Sequence, residues 1–275
     1  MRGTLYVVAT PLGNLGDLSP RAAETLKHVA AVAAEDTRRT RPLLAHVGSG
    51  AELVSVHAHS SQAAIERVLR QLAGGRDVAL VTDAGTPAVS DPGVALVAAA
   101  RAHDFPVITI PGPTAVAAAL AVSGLSADRY VFLGFLPRKG GDRQRLLDTI
   151  AKSEWTVVVF EAPNRTAELL DDLVAACGAE RRGVVARELT KLFEETRDGT
   201  LAQLAGYYRD TPPRGEVTVI VSGTGVPALE APRPDPEARA RALLAEGMTR
   251  RDVADRLAHE TGISRNSAYR LVNEL

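Results

Sequence analysis

Short apolar runs bounded by Pro, Gly or Asp alternate with segments whose apolar residues recur at helical spacing. Leu5–Ala9, Asp77–Thr82 and Val107–Ile110 are such runs, and they predict strands buried on both faces, as in an α/β sheet. Pro20–Val29, Ser61–Leu72, Pro92–Ala102 and Thr114–Val122 predict the helices between them. Strand alternating with helix marks one α/β domain over 1–123. Ser123-Gly124-Leu125-Ser126 breaks the pattern and opens a second α/β domain, 124–224. There Tyr130–Phe135, Thr156–Phe160, Gly183–Glu188 and Glu216–Ser222 predict strands, and Arg143–Ala151 and Thr166–Ala176 predict helices. Phe193–Asp198 and a short helix at Leu201–Tyr208 fall between the last two strands. Crossovers this short predict some antiparallel pairing.

A linker over 225–236 follows, with Pro227, Pro232, Pro234 and Pro236 too closely spaced for regular structure. In the last piece, 237–275, Glu237–Glu246, Arg250–Ala258 and Ser264–Glu274 have helical spacing. Thr249 and Ser264 stand where N-caps belong, and Gly262 lies at the turn between the last two helices. Val253, Ala254, Leu257, Ala268, Leu271 and Val272 would form their shared core, an arrangement resembling a helix-turn-helix.

Composition narrows the class. The chain has 275 residues, 45% hydrophobic and 24% charged, the balance of a soluble globular protein of about two domains. Its 32 basic and 33 acidic residues give a net charge of −1, which excludes a strongly basic nucleic-acid coat while leaving room for a local basic cleft. One cysteine, Cys177, excludes an internal disulfide or a cysteine-cluster metal site and fits a reducing cytoplasm. The first apolar run is too short for a signal peptide, and no stretch approaches a membrane span.

The densest chemical signal is the loop Thr82-Asp83-Ala84-Gly85-Thr86-Pro87-Ala88-Val89-Ser90-Asp91-Pro92-Gly93, directly after a predicted strand. Ligands of open α/β sheets bind at the carboxyl ends of strands. Gly85 admits close backbone approach, Thr86 and Ser90 supply donors, and Pro92 suits the first turn of the next helix. Two other strand ends run into Gly/Pro loops, Thr10–Asp17 and Pro111–Ala115. Three such loops at one sheet edge predict a backbone-lined pocket of little charge, suited to a ligand with a heteroaromatic base and an amino-acid end.

Other nucleotide motifs fail. No GxxxxGK occurs, and the GxGxxA match at Gly223 is followed by Pro227 where a helix must begin. His57 and His59 lack a third nearby metal ligand. Carboxylates stand beside Arg or Lys at three further strand ends, around Glu35-Asp36-Thr37-Arg38, Glu161 and Glu188–Lys191, a pattern that suggests a site more than surface pairing. Arg138-Lys139-Gly140-Gly141-Asp142-Arg143-Gln144-Arg145 is the longest basic stretch, and Arg138, Lys139, Arg143 and Arg145 could contact RNA phosphates. In the C-terminal piece Arg265 and Arg270, with Arg250 and Arg251, are the candidate RNA contacts, although its net charge from Glu237 to Glu274 is only +1.

Taken together the strings carry a resemblance over essentially the whole chain. They are Tyr6-Val-Val-Ala-Thr-Pro-Leu-Gly-Asn-Leu-Gly-Asp17, Ala34-Glu-Asp-Thr-Arg38, Val81-Thr-Asp-Ala-Gly-Thr-Pro87, Asp91-Pro-Gly93 and Pro111-Gly-Pro-Thr-Ala115, then Gly134-Phe-Leu-Pro137, Ala186-Arg-Glu-Leu-Thr-Lys191 and Gly215-Glu216. In that order they resemble the tetrapyrrole-methylase-like (class III) S-adenosylmethionine methyltransferases. Within that family they are similar to the branch that methylates the ribose 2′-hydroxyl of a decoding-site cytidine in 16S rRNA.

The resemblance implies two α/β/α lobes with the cofactor, S-adenosyl-L-methionine, in the cleft between them, plus a small C-terminal helical unit. It further implies a homodimer acting on small-subunit rRNA within the 30S particle, with neither metal nor membrane involved. Pro11, Gly13 and Asn14, then Asp83, Ala84, Gly85 and Pro87, with Pro113, Thr114 and Ala115, would line the cofactor pocket together with Phe160, Glu161, Leu189 and Thr190. Ala162 stands where relatives commonly carry a hydroxyl residue, so only a backbone contact is expected there. Alignment of the acceptor oxygen would supply most of the catalysis, with a nearby base or cation adding a further factor. Lys191, Glu188, Asp36 and Arg38 are the unranked candidates for that role. A corrinoid or porphyrin C-methyltransferase of the same fold is a second reading, and a ligand-sensing helix-turn-helix regulator a third.

Overall fold

A computed structural model describes residues 2–56, 62–225, 235–261 and 264–275, without the side chains of 258–261 and 266. The chain forms two compact units, Met1–Val226 and Pro227–Leu275.

The larger unit opens with strict strand–helix alternation. β1 (Leu5–Val8), α1 (Pro20–His28), β2 (Ala31–Ala34), α2 (Thr37–His46), β3 (Glu52–Ser55), α3 (Gln62–Ala73), β4 (Val78–Val81), α4 (Val94–Ala102), β5 (Val107–Ile110) and α5 (Ala115–Ser123) follow one another. The five strands form a parallel sheet in the order β3-β2-β4-β1-β5. Successive residues of a strand face opposite ways, and here both faces are covered. Ala31, Ala33, Val78 and Leu80 pack with Ile65 and Val68 of α3 and Leu96 of α4. Val32, Ala34, Ala79 and Val81 pack with Leu26 of α1 and Leu43 of α2. Each fully buried Val or Leu contributes about 1.5–3 kcal/mol.

The second sheet is mixed, as the short crossovers predicted. It is built from β6 (Tyr130–Phe135), α6 (Gly141–Lys152), β7 (Thr156–Glu161), α7 (Thr166–Cys177), β8 (Arg182–Arg187), β9 (Glu195–Thr200), α8 (Leu201–Asp210) and β10 (Val217–Val221). The order is β6-β7-β10-β8-β9; β6 runs parallel to β7, and the other pairs are antiparallel. Helices α6, α7 and α8 cover one face through Ile150, Leu169, Leu173 and Leu204. The other face is covered by α5, whose Val116, Ala119 and Leu120 pack on Val158, Val184 and Ile220. The last helix of the first alternation therefore roofs the second sheet, and the two sheets interlock.

Two elements, α2 and β3, leave no trace in the hydrophobic periodicity. α2 begins with the polar run Thr37-Arg38-Arg39-Thr40-Arg41 and contains Pro42, so its sequence imitates a charged loop; the Asp36 side chain accepting from the Arg38 N–H at 2.9 Å starts it. β3 (Glu-Leu-Val-Ser) is an edge strand with only two apolar residues, so it forms no apolar run. Elsewhere the boundaries shift. α4 starts at Val94 after Gly93 (φ 124°), so Pro92 stays in the loop and does not open the helix. Pro236 opens its helix at the first turn, capped by Asp235, so the linker ends before it. β9 begins only at Glu195, which leaves Phe193 outside the sheet.

In the C-terminal unit α9 (Pro236–Ala245), α10 (Arg250–Thr261) and α11 (Arg265–Glu274) enclose Ala240, Leu243, Val253, Ala254, Leu257, Ala268 and Val272. Thr249 Oγ1 accepts from the Asp252 N–H at 3.3 Å and Ser264 Oγ from the Ser267 N–H at 3.1 Å, the two caps anticipated from sequence. Gly262 lies outside the described residues, as do His57, His59, Pro227, Pro232 and Pro234.

One expected RNA contact belongs to the core. α6 starts at Gly141 and turns Arg143 inward, where it is 7% exposed. Its Nε donates to Asp172 at 2.8 Å and a terminal nitrogen to the Pro137 carbonyl at 2.9 Å. This buried guanidinium serves the fold through Asp172 and the Pro137 carbonyl. Arg143→Ala should therefore act as a stability mutation, lowering unfolding free energy by about 2 kcal/mol in chemical denaturation because Asp172 and the Pro137 carbonyl lose their donor.

Candidate active site

The carboxyl ends of β1, β2 and β4 and the loops beyond β7 and before β10 converge on one cleft of about 380 Å³. Its walls include Asp83, Ala84, Gly85, Thr114, Ala115, Phe160 and Glu161, seven of the residues expected to hold a ligand. Pro11 and Gly13 line an adjoining depression that shares Leu12 and Asp83 with the cleft. The other expected residues support the walls. Asn14 caps the short 3-10 turn Leu15–Asp17, accepting from the Gly16 N–H at 2.9 Å. The Pro113 carbonyl accepts from Thr86 Oγ1 at 3.3 Å, and Leu189 is buried with α5 and the second sheet. Pro87 and Thr190 do not line the cleft.

The cleft is not the uncharged pocket that its Gly/Pro loops suggested. Glu35, Asp83, Asp91, Glu161 and Glu216 all contribute to its walls, with no Lys, Arg or His among the described lining residues. Asp83 and Asp91 share the loop after β4, whereas Glu35 follows β2, Glu161 ends β7 and Glu216 precedes β10, so no single motif displays all five together. Thr82 Oγ1 donates to Glu35 at 3.0 Å, the Asp36 N–H donates to Asp83 at 3.2 Å, and Arg39 approaches Asp83 at 3.4 Å from outside the cleft. Burial and then the charge of Glu35 push the Asp91 carboxyl up to about 6, with Asp83 and Glu216 adding to the rise and a hydrogen bond with Thr82 opposing it.

Glu161 is the deepest of the five. Its side chain is fully buried, one oxygen takes the Ala162 N–H at 2.7 Å and the Arg165 guanidinium, and the other has no partner. The Ala162 N–H is thus bonded inside the protein, while Ala162 itself lines the cleft. An unpaired carboxylate oxygen in a buried wall is costly unless a donor arrives. Above it Phe160 packs against Phe132 and Phe135 at centroid distances of 4.8 and 5.5 Å, and Phe135 stays 56% exposed as an apolar wall.

Gly85 has a structural reason that its loop context did not disclose. It sits at φ 87° and exchanges backbone hydrogen bonds with Thr10 at 2.8 and 3.1 Å; a Cβ would meet Leu12 Cδ2 at 3.3 Å. A side chain there presses on the protein and strains the backbone, so Gly85 shapes the cleft wall through its conformation. Of the five non-glycine residues with positive φ among the described residues, Ala88, Ser90, Glu188 and Thr190 lie in loops at the cleft, the fifth being Asp104. Such conformations cost about 1–3 kcal/mol each and collect at functional sites.

The four candidates for acid–base or electrostatic work are all engaged. Both Asp36 oxygens are bonded by Arg38, at 3.0 and 2.7 Å, and this holds the Asp36 carboxyl down at about 2. Lys191 Nζ lies between Glu188 at 2.9 Å and Glu216 at 3.2 Å. The Lys191 bond draws the Glu188 carboxyl below its ordinary value. Burial pulls the Lys191 amine down, but the Glu188 bond and the charge of Glu216 outweigh it, and the net shift is upward. None of the four is a free base near neutral pH. The stem of Lys191 lies across Gly13, where a Cβ would come within 2.3 Å of its Cγ. Among the RNA candidates, Arg138 and Lys139 are exposed, Arg145 is paired with Asp142 and Arg265 with Asp255, and Arg270 is exposed. No described helix is long and apolar enough to cross a membrane.

Residues 4–205 match the family of tetrapyrrole (corrin/porphyrin) methylases. The chain is 44% identical over 278 residues to a ribosomal RNA small subunit methyltransferase I of Synechocystis sp., with 99% of this chain and 98% of that protein covered. It is 46% identical over 269 residues to the protein of the same name from Xylella fastidiosa, covering 97% and 98%. Among solved structures, a cobalt precorrin-4 methyltransferase shares the fold at a TM-score of 0.63 and 19% identity, covering 80% of this chain and 94% of that one. A Thermus thermophilus uroporphyrin-III C-methyltransferase, solved complexed with S-adenyl homocysteine, does so at 0.58 and 20%, covering 80% and 97%. The chain belongs to the tetrapyrrole (corrin/porphyrin) methylase family.

Proposed function

We propose that the protein transfers a methyl group from S-adenosylmethionine to small-subunit ribosomal RNA, at the ribose 2′-hydroxyl of a decoding-site cytidine. The observation that carries the cofactor half is the cleft wall of five carboxylates without a cation. S-adenosylmethionine brings two cations, a sulfonium and an α-ammonium, against one carboxylate, and a wall of this sign favours it over anionic nucleotides. The unpaired Glu161 oxygen offers an acceptor, Phe160 and Phe135 offer apolar surface to a heteroaromatic base, and the cleft volume is in the range of small-molecule sites.

When bound, the sulfonium supplies an electrophilic methyl group with a neutral leaving group. The chain's own contribution is placement: the Asp83–Thr86 loop and the Glu161 wall fix the donor, and the strained loops at Ala88–Ser90 and Glu188–Thr190 fix the entrance. Lys191 is charged and therefore suited to stabilise negative charge developing on the ribose oxygen, while Glu188 and Glu216 orient its amine. No essential base is assigned.

The substrate half rests on the relatives. Those named ribosomal RNA small subunit methyltransferase I are matched over 97–99% of this chain, C-terminal unit included, whereas the corrin and porphyrin methylases cover 80% of it. The helical unit is thus assigned to docking on the ribosomal particle, with Arg250, Arg251 and Arg270 among its exposed cations. The Arg138–Lys139 turn is assigned to RNA phosphates. A cytoplasmic homodimer acting on the 30S particle completes the reading.

Incubation with methyl-labelled S-adenosylmethionine and small subunits lacking the modification should place label on one ribose of the 16S rRNA; label on a base, or none, overturns the assignment. Replacing Arg138 and Lys139 with Ala should lower the slope of log affinity against log salt by about 2, and the loss should leave cofactor affinity unchanged. An unaltered slope would make the turn ordinary surface.

A further inference from the structure

The loop between β8 and β9 presents two large apolar side chains to solvent, Leu192 at 89% exposed and Phe193 at 68%. Exposed loop hydrophobics are common, but this loop is held firmly. Glu188 and Thr190 sit at φ 51° and 67°, the Lys191 and Glu194 N–H groups donate to Glu188 and Lys191 carbonyls at 2.9 and 3.1 Å, and the Thr190 N–H donates to the Glu194 carboxylate at 2.7 Å. The positive-φ, β-branched Thr190 is a strained residue kept by its surroundings. Its hydroxyl is buried without a partner. Lys191, adjacent to Leu192, is tied to Glu216 of the cleft wall and lies across Gly13 of the adjoining depression. A rigid turn thus carries an aliphatic and an aromatic tip beside the entrance of the site.

We infer that Leu192 and Phe193 form a wedge that enters the RNA stack beside the target nucleotide and holds that nucleotide out toward the cleft. The inference rests on the RNA reading above. Three observations favour a nucleobase as the occupant. The apolar element is two side chains flanked by Lys191 and Glu194, far below the roughly 800 Å² per partner of a stable protein interface. It is continuous with the site through Lys191. Its rigidity suits a group that must replace stacking, since proteins that unstack nucleic acid insert apolar side chains between base steps and those that act on a nucleotide inside a helix extrude it. An aromatic tip offers every base the same stacking face, so the wedge adds discrimination by position and not by sequence.

The test uses the full-length protein, a hairpin RNA carrying the target sequence with 2-aminopurine beside the target nucleotide, and unmodified small subunits. Wild type should raise the 2-aminopurine fluorescence on binding. The double variant Leu192→Ser, Phe193→Ser should bind S-adenosylmethionine normally and keep the wild-type sedimentation coefficient. It should fail to raise the fluorescence, and its kcat/KM on small subunits should fall about 10- to 100-fold, the range for losing one base stack. Phe193→Trp should restore both signals. An equal fluorescence rise with the double variant overturns the wedge and leaves the RNA reading intact, as does methylation by wild type without any rise. A changed sedimentation coefficient in the double variant identifies the pair as a contact between copies of the chain and also overturns the wedge. If wild type transfers no methyl group to the small subunit, the RNA reading falls and the wedge with it.

Discussion

Five carboxylates facing one cleft is the constraint around which the rest of the protein is arranged. Like charges held close in a partly desolvated space repel, and the protein answers in two ways. Arg165 and Lys191 pair with Glu161 and Glu216, while burial and the neighbouring carboxylates raise the Asp91 carboxyl to about 6. What remains is a surface that gains when a cation enters. The interlocked sheets make this possible, because α5 follows the parallel sheet and roofs the mixed one, so strand ends from both sheets are held rigidly against the same space.

The strained loops belong to the same economy of structure. Ala88, Ser90, Glu188 and Thr190 would relax to negative φ in a free chain. Two packed sheets supply the surplus of burial that holds them where they are; Ser90 lines the cleft, and Glu188 accepts from the N–H of Glu216 in its wall. A less stable fold would let these loops move, and with them the alignment on which methyl transfer depends. Gly85 bridges to the Thr10 loop through paired backbone hydrogen bonds, and Gly13 lies beneath the Lys191 stem.

Much of this was legible in the amino-acid sequence. The parallel sheet announced itself through apolar runs that lack alternation, because its central strands β2 and β4 are buried on both faces; Val107–Ile110, expected to be buried in the same way, is an edge strand that exposes Ile108 and Thr109. The mixed pairing followed from short crossovers, and the C-terminal core from helical spacing. The position of the cleft was legible in the Gly/Pro loops and carboxylates at the strand ends. The features that stayed hidden were set by tertiary context. The run Thr37–Arg41 looks like a loop until Asp36 caps it, and Arg143 looks exposed until α6 starts two residues early and turns it onto Asp172. The charge of the cleft was also hidden, because Glu35, Glu161 and Glu216 reach the wall of the Asp83–Asp91 loop from three other strand termini, and only the fold brings them together. Phe193 was hidden in the same way, because only the fold shows that it stands outside β9 and exposed.

The claim that this acidic cleft takes a cationic cofactor has a direct measurement. Calorimetric titration of the protein with S-adenosylmethionine at pH 6, repeated in buffers of different ionisation enthalpy, counts the protons exchanged on binding. Asp91 is about half protonated there in the free protein, and a cation beside it lowers its proton affinity. Binding should therefore release a fraction of a proton at pH 6. The release should be absent at pH 6 in the Asp91→Asn variant. Proton uptake at pH 6, or no exchange in the native protein, would contradict a cationic occupant beside Asp91.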